Sequence, residues 1–302
     1  MKPVTLIGAP TDVGASIRGS SMGPEALRVA DIAGALARNG INVTDVGNLN
    51  GPGNPNLPPV DGVRHLPEVI AWNRQVFDAT YKSLAAGQLP LLMGGDHCLA
   101  IGSVNAAARY CREQGKRLLV LWLDAHADAN TGSTSPSGNI HGMPVACLCG
   151  DGPAPLVSLG GVTPAALPQD IRQIGIRSVD LEEKMRLREM GLTVYDMRYI
   201  DENGMRATME QALAGVDANT HLHVSFDIDF LDSQIAPGVG TPVRGGPTYR
   251  EAHLALEMIE DTGALGSIDV LELNPARDVH NQTAVLVVEL LESLFGKSTL
   301  LR

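Results

Sequence analysis

A chain of 302 residues with 44% hydrophobic, 19% charged and 4% aromatic residues is long enough to bury a large, mainly aliphatic core, and its composition excludes a disordered chain or a disulfide scaffold. The formal charge of -11 excludes the basic footprint that broad binding to nucleic acid or an anionic membrane requires, and it suits a cationic small substrate. No apolar run approaches the roughly 20 residues of a membrane span. The opening MKPVTLIGAP enters a strand-like run without a secretory core and cleavage site, so the cytoplasm is the expected compartment. Cys98, Cys111, Cys147 and Cys149 show no CxxC spacing and read as buried reduced thiols.

In chain order, eight short aliphatic runs read as strands: Val4–Gly8, Val43–Val46, Leu89–Met93, Leu118–Leu123, Ile171–Ile176, Leu192–Tyr195, Leu222–Ile228 and Ile268–Leu273. Between them, apolar residues at helical spacing predict helices over Pro24–Asn39, Leu66–Ala86, Ile101–Gln114, Glu182–Met190, Met205–Ala214, Tyr249–Asp261 and Thr283–Phe295. Gly40, Gly87, Gly115, Gly191 and Gly263 stand where these helices stop. The alternation predicts an α/β fold with a mainly parallel sheet, and nothing in residues 1–302 marks a linker or repeat that would split one domain. The Gly/Pro-rich piece Asn48–Pro59 reads as a surface loop.

In such a sheet ligands collect beyond the carboxyl ends of the strands, and the polar residues cluster there. Gly94-Gly95-Asp96-His97 follows the third run, Asp124-Ala125-His126-Ala127-Asp128 the fourth, Asp180 the fifth, Asp227-Ile228-Asp229 the seventh and Glu272 the eighth. In extended geometry Asp124, His126 and Asp128 project to one side, as do Asp227 and Asp229. With His97 they form four carboxylates and two imidazoles, an oxygen-rich set suited to Mn²⁺-like ions. Four crowded aspartates need about four positive charges, which two divalent cations supply.

The blocks GGDH at 94–97, DAHADAN at 124–130, SGNIHGMP at 137–144, SFDID at 225–229, GVGTPVRGG at 238–246, TYRE at 248–251 and ELNP at 272–275 resemble, in order and spacing, the arginase or ureohydrolase family. The resemblance implies a single three-layer α-β-α domain, two Mn²⁺ ions, a homotrimer or homohexamer, and hydrolysis of L-arginine to L-ornithine and urea by a metal-bridging hydroxide. It makes His97, Asp124, Asp128 and Asp227 ligands of one ion and Asp124, His126, Asp227 and Asp229 ligands of the other. His141 becomes the proton shuttle to the leaving amine, Asp128 assists the developing charge, and Glu272 pairs with the guanidinium. Asn130, Ser137 and Asn139 match contacts to the α-carboxylate, Asp180 and Glu183 match contacts to the α-amino group, and Thr241 also falls at the substrate. The alternatives are another ureohydrolase acting on guanidinobutyrate or agmatine, and a non-catalytic arginine-binding scaffold.

Three positions depart from the family pattern. Phe230 stands where glycine is common, which implies a strained backbone or a narrowed rim; Ser178 stands where arginases often carry aspartate, and Cys98 where serine is frequent. The remaining histidines, His65, His221, His223, His253 and His280, read as structural or solvated, and Trp122 as core.

Overall fold

The computed structural model describes residues 2–298 and residue 300. In chain order the elements are β1 (Val4–Ala9), α1 (Gly23–Val29), α2 (Ile32–Arg38), β2 (Val43–Asn48), α3 (Leu66–Ala85), β3 (Leu89–Gly94), α4 (Ala100–Gln114), β4 (Arg117–Leu123), α5 (Pro144–Leu148), α6 (Ala154–Val157), β5 (Ile171–Ile176), α7 (Leu181–Met190), β6 (Thr193–Asp196), α8 (Met197–Ala212), β7 (Thr220–Asp227), α9 (Tyr249–Asp261), β8 (Leu265–Leu271) and α10 (Gln282–Leu294). The eight strands form one sheet in the order β2-β1-β3-β8-β7-β4-β5-β6, and every pairing is parallel. No described helix is long and apolar enough to cross a membrane.

The sheet is buried on both faces. Residues such as Leu6, Leu121, Val224 and Ile268 pack against α1, α2, α8, α9 and α10, while Ile7, Leu92, Val120 and Trp122 pack against α3, α4, α5 and α6. This gives the expected three-layer arrangement, and in β1, β3, β4, β5 and β8 the period-2 alternation sends side chains into both cores.

Two helix expectations are corrected. The span Pro24–Asn39 is two helices, because Asp31 takes a left-handed φ of 62° at the start of α2 and breaks the ladder after α1. The helix expected from Met205 begins eight residues earlier, at Met197, where Asp196 accepts a hydrogen bond from the Tyr199 N–H; a non-helical Gly204 inside it masks the continuity in the sequence. The short α5 and α6 carry too few residues for a helical period to be read. All five helix-stopping glycines have positive φ, and Cys98, Cys111 and Cys147 are buried free thiols, with Cys149 half-buried.

Sheet order positions the site. The strands that end at or just before His97, Glu272, Asp227 and Asp124 are β3, β8, β7 and β4, four consecutive neighbours at the centre of the sheet. Residues up to 175 positions apart in sequence therefore meet at one carboxyl edge.

Candidate metal centre and substrate cleft

The GGDH segment turns sharply because Gly95 lies against the backbone: a Cβ there would sit 1.5 Å from the Thr11 carbonyl oxygen. Asp96 is fully buried and accepts from the Gly14 and Cys98 N–H groups at 2.8 and 3.0 Å, which joins the loop after β1 to the loop after β3. His97 then points inward. Its Nε2 is 2.8 Å from Ser225 Oγ, and its ring stacks on Trp122 at 4.2 Å and 9°. Its Nδ1 lies 3.1 Å from Asp124, 3.1 Å from Asp128 and 3.0 Å from Asp227.

The remaining ligand candidates are placed by turns rather than by strand alternation alone. β4 ends at Leu123, and Asp128 has a left-handed φ of 52°, so a curl of the chain brings Asp124, His126 and Asp128 together. Similarly, Asp229 sits on a 3-10 turn after β7, its N–H bonded to Asp227 Oδ1 at 2.7 Å. Left-handed φ values at non-glycine residues are costly and mark constrained sites; Glu272, at 65°, is another. Two groups result, one of His97, Asp124 and Asp227 and one of Asp124, His126 and Asp229, with donor atoms within 4.8 Å of one another in each. Asp124 belongs to both. Asp227 is in the first group and not in the second.

The residues fit two divalent cations. The buried His97 Nδ1 and Asp128 Oδ2 have no hydrogen-bond partner, although three carboxylate oxygens surround that nitrogen; a cation is the partner this geometry lacks. The electrostatics agree. Burial opposes protonation of His126, yet Asp229 and Asp124 push its pKa up to about 12. Burial and the neighbouring Asp124 push Asp128 up to about 6, and burial with Asp229 and Asp124 holds Asp227 well above the usual carboxylate range. So many carboxylates in a buried site either retain protons or take up counter-cations.

Around these groups lies a cleft of about 320 Å³ lined by His97, His126, Asp128 and Asp227 on its floor and by Asn130, Ser137, Asn139, His141, Ser178, Asp180, Glu183 and Thr241 on its walls. Asn139 is buried, donates from Nδ2 to Ser16 Oγ at 3.0 Å and leaves Oδ1 unpartnered. Glu183 accepts from the Ala129 N–H at 2.9 Å and the Asp180 N–H at 3.4 Å; burial, with Asp128 nearby, raises its pKa to about 7. Thr241 donates to Asp229 Oδ2 at 3.0 Å and so supports a ligand candidate as well as lining the cleft.

Glu272 is not a wall residue. It stands behind His97 and His141, accepting from the His97 N–H at 2.8 Å and from His141 Nδ1 at 3.0 Å. That contact fixes the His141 tautomer, leaving Nε2 for proton exchange. Burial disfavours the imidazolium, but Glu272 outweighs it and raises the His141 pKa to about 9.

The strain or rim narrowing expected of Phe230 is not found. Its φ is not among the positive values, and its ring is 1% exposed, edge-on to Phe226 at 6.1 Å, away from the cleft. Space for it comes from Gly175, where a Cβ would lie 2.6 Å from the ring. Ser178 does line the cleft. Sequence reading missed Trp122 as a support, although its indole donates to Asp124 Oδ2 at 2.9 Å, and it missed Ser225. Both lie two residues before an aspartate on the same strand face, which is the signal that could have found them.

The Arginase family model matches residues 2–296. Arginase of Brevibacillus brevis is 40% identical over 300 residues, 99% of each chain. The native structure of Bacillus caldovelox arginase superposes with a TM-score of 0.94 at 40% identity, covering 99% of this chain and 100% of that one. Arginase of Entamoeba histolytica in complex with L-ornithine superposes with a TM-score of 0.91 at 30% identity, covering 98% and 99%. On the ordered blocks, the sheet and these full-length likenesses, the chain belongs to the arginase family.

Proposed function

We propose that this protein is an arginase, a hydrolase that cleaves L-arginine to L-ornithine and urea with two Mn²⁺ ions held by His97, Asp124, His126, Asp128, Asp227 and Asp229. The observation that carries the reading is the pair of imidazole-carboxylate groups sharing Asp124 on the floor of a cleft. When bound, two divalent ions supply a water whose pKa is lowered toward neutrality and a counter-charge for the reaction. The chain's own residues do the rest. Asp128 lies at the floor beside His97 and can accept a hydrogen bond from the substrate's nitrogen. His141, held by Glu272, presents Nε2 to protonate the departing amine. Asn130 and Asn139 carry amide donors for an α-carboxylate, with Ser137 between them, and Asp180 and Glu183 place acidic groups for an α-ammonium.

The whole chain acts as one catalytic unit, because β8 and β7 from its last third lie in one sheet between the strands of its first third and those of its middle third. Assembly as a homotrimer or homohexamer rests on the family resemblance, and a cytoplasmic location on the strand-like opening run. The ornithine in the Entamoeba histolytica arginase complex supports an amino-acid substrate. One observation favours a second reading, a ureohydrolase of another guanidino acid: Ser178 removes a carboxylate from the cleft wall. Urea release with Mn²⁺ across L-arginine, agmatine and guanidinobutyrate decides. L-arginine should lead by kcat/KM, agmatine in the lead refutes the arginase assignment, and binding without urea release identifies a scaffold.

A further inference from the structure

Arg177 follows β5 and is absent from every motif that marks the site, yet it makes the densest set of hydrogen bonds near it. Its Nη1 donates to the carbonyls of Gly175 and Phe230, both at 3.1 Å. Its Nη2 shares its two hydrogens among the carbonyls of Asp229 at 2.7 Å, Leu231 at 3.2 Å and Val243 at 2.9 Å. All five acceptors are backbone oxygens, and none of these bonds goes to a carboxylate. Three belong to consecutive residues, Asp229 to Leu231, at the end of the turn that follows β7, and one to the loop that carries Thr241, the side chain bonded to Asp229 Oδ2. Gly246 leaves the space: a Cβ there would lie 2.5 Å from Nη2 and 2.7 Å from the Phe230 carbonyl oxygen. Asp232 ties the same loop from the other side, accepting from the Gly245 and Gly246 N–H groups at 2.6 and 3.1 Å.

Successive carbonyls of a tight turn converging on one point are not self-supporting, since their dipoles repel. A planar cation with donors in a fixed fork satisfies several at once; an ammonium, with three donors on one atom, cannot reach the same five. The guanidinium therefore fixes Asp229 by two routes, through its own carbonyl and through the loop bearing Thr241. Its charge is also balanced by Asp229, Asp124, Asp232 and Asp227 nearby. The group built around His97 has separate supports, namely Ser225, Trp122 and Glu272.

We propose that Arg177 is a positioning residue for one half of the metal centre: it presets Asp229 so that the Asp124, His126 and Asp229 group holds its ion, while the His97 group holds the other without it. This rests on the two-metal reading above. The test is a Mn²⁺ titration of the wild-type protein, Arg177→Lys and Arg177→Ala, followed by calorimetry and electron paramagnetic resonance, with circular dichroism and metal-free melting temperature recorded for each.

Wild type should bind two ions per chain with an exchange-coupled spectrum. Arg177→Lys, which keeps the charge and loses the fork, should keep its fold and first-ion affinity while its second-ion affinity falls about 10- to 100-fold, as for lost partners of metal ligands; the coupled signal should give way to that of isolated Mn²⁺. Millimolar guanidinium chloride, far below denaturing concentrations, should restore the second ion in Arg177→Ala, and methylammonium should not. The proposal is overturned if Arg177→Lys binds the second ion as wild type does, or if both ions weaken equally. Should Arg177→Ala fail to fold, the lysine variant carries the test alone. A wild-type protein that binds fewer than two ions overturns the two-metal reading itself, and this proposal with it.

Discussion

Glu272 meets the His97 backbone N–H and the His141 imidazole with one oxygen, so a single carboxylate braces a ligand candidate and sets the charge of the proton donor. As donor, His141 has to be protonated; without bound cations Glu272 raises its pKa to about 9, and turnover declines on the alkaline side as the group loses its proton. Replacing Glu272 by glutamine removes the counter-charge, and the alkaline limb of the kcat profile should move down toward the ~6.5 of an ordinary imidazole. Bound cations lower the limb in both proteins, so the direction of the difference stands; an unmoved limb would contradict the assignment. His141→Ala should lose roughly 10²- to 10⁴-fold in kcat, the usual worth of a general acid, with Mn²⁺ content unchanged by elemental analysis. Phe230 belongs to stability instead. Phe230→Ala empties a buried site beside Phe226 and should cost about 3–5 kcal/mol in urea unfolding, while KM for L-arginine stays at the wild-type value.

At the scale of elements, β7 shows how one strand serves two purposes. Leu222, Val224 and Phe226 enter one core, and alternation puts His221, His223, Ser225 and Asp227 on the other face. The sequence shows the alternation; the partners come from β8 and α4. Ser267 Oγ lies 2.9 Å from His221 Nε2 and 2.8 Å from His223 Nδ1, and Asp269 bonds His223 Nε2 at 3.1 Å and the Ser103 hydroxyl at 2.5 Å. These groups are buried, as expected of structural histidines. Burial, with His223, Lys2 and Lys116 adding repulsion, depresses the His221 pKa from 6.5 to about 3. Between those values the unfolded chain binds a proton that the native chain does not, so stability is full above pH 6.5 and falls as the pH drops, by at most ~1.4 kcal/mol per unit. His221→Gln removes this dependence. Comparing urea unfolding at pH 7 and pH 4.5, the wild type should lose about 2.5 kcal/mol more than the variant; equal losses would show that this histidine takes no part in acid unfolding.

For the whole molecule, the charge of the site couples metal uptake to protons. His97 is held protonated by Asp124, Asp128 and Asp227 against the opposing effect of burial, and His126 likewise by Asp229 and Asp124. An imidazole binds a metal only when neutral, so Mn²⁺ must displace these protons and its apparent affinity should rise from pH 6 to pH 9. Calorimetry in buffers of different ionisation enthalpy reads the protons released; a heat independent of buffer would contradict this account. Chelation should lower the melting temperature, because ligand binding to the native state stabilises it.

Eight strands, a parallel sheet and the polar residues beyond the strand ends are legible in the sequence, because strand period, helix period and short blocks such as GGDH and SFDID are local patterns. Spacing at the strand ends also marked the six ligand candidates, and the family resemblance divided them between two ions. Strand order lay beyond these patterns, since the pairings that place β8 and β7 between β3 and β4 are contacts between distant segments. Long-range packing sets the rest: Asp128 and Asp229 reach the site through a left-handed residue and a 3-10 turn, Glu272 braces His141 from behind, and Phe230 is core. The same holds for Arg177: its acceptors are backbone carbonyls, which every residue possesses, so no side-chain pattern could announce them.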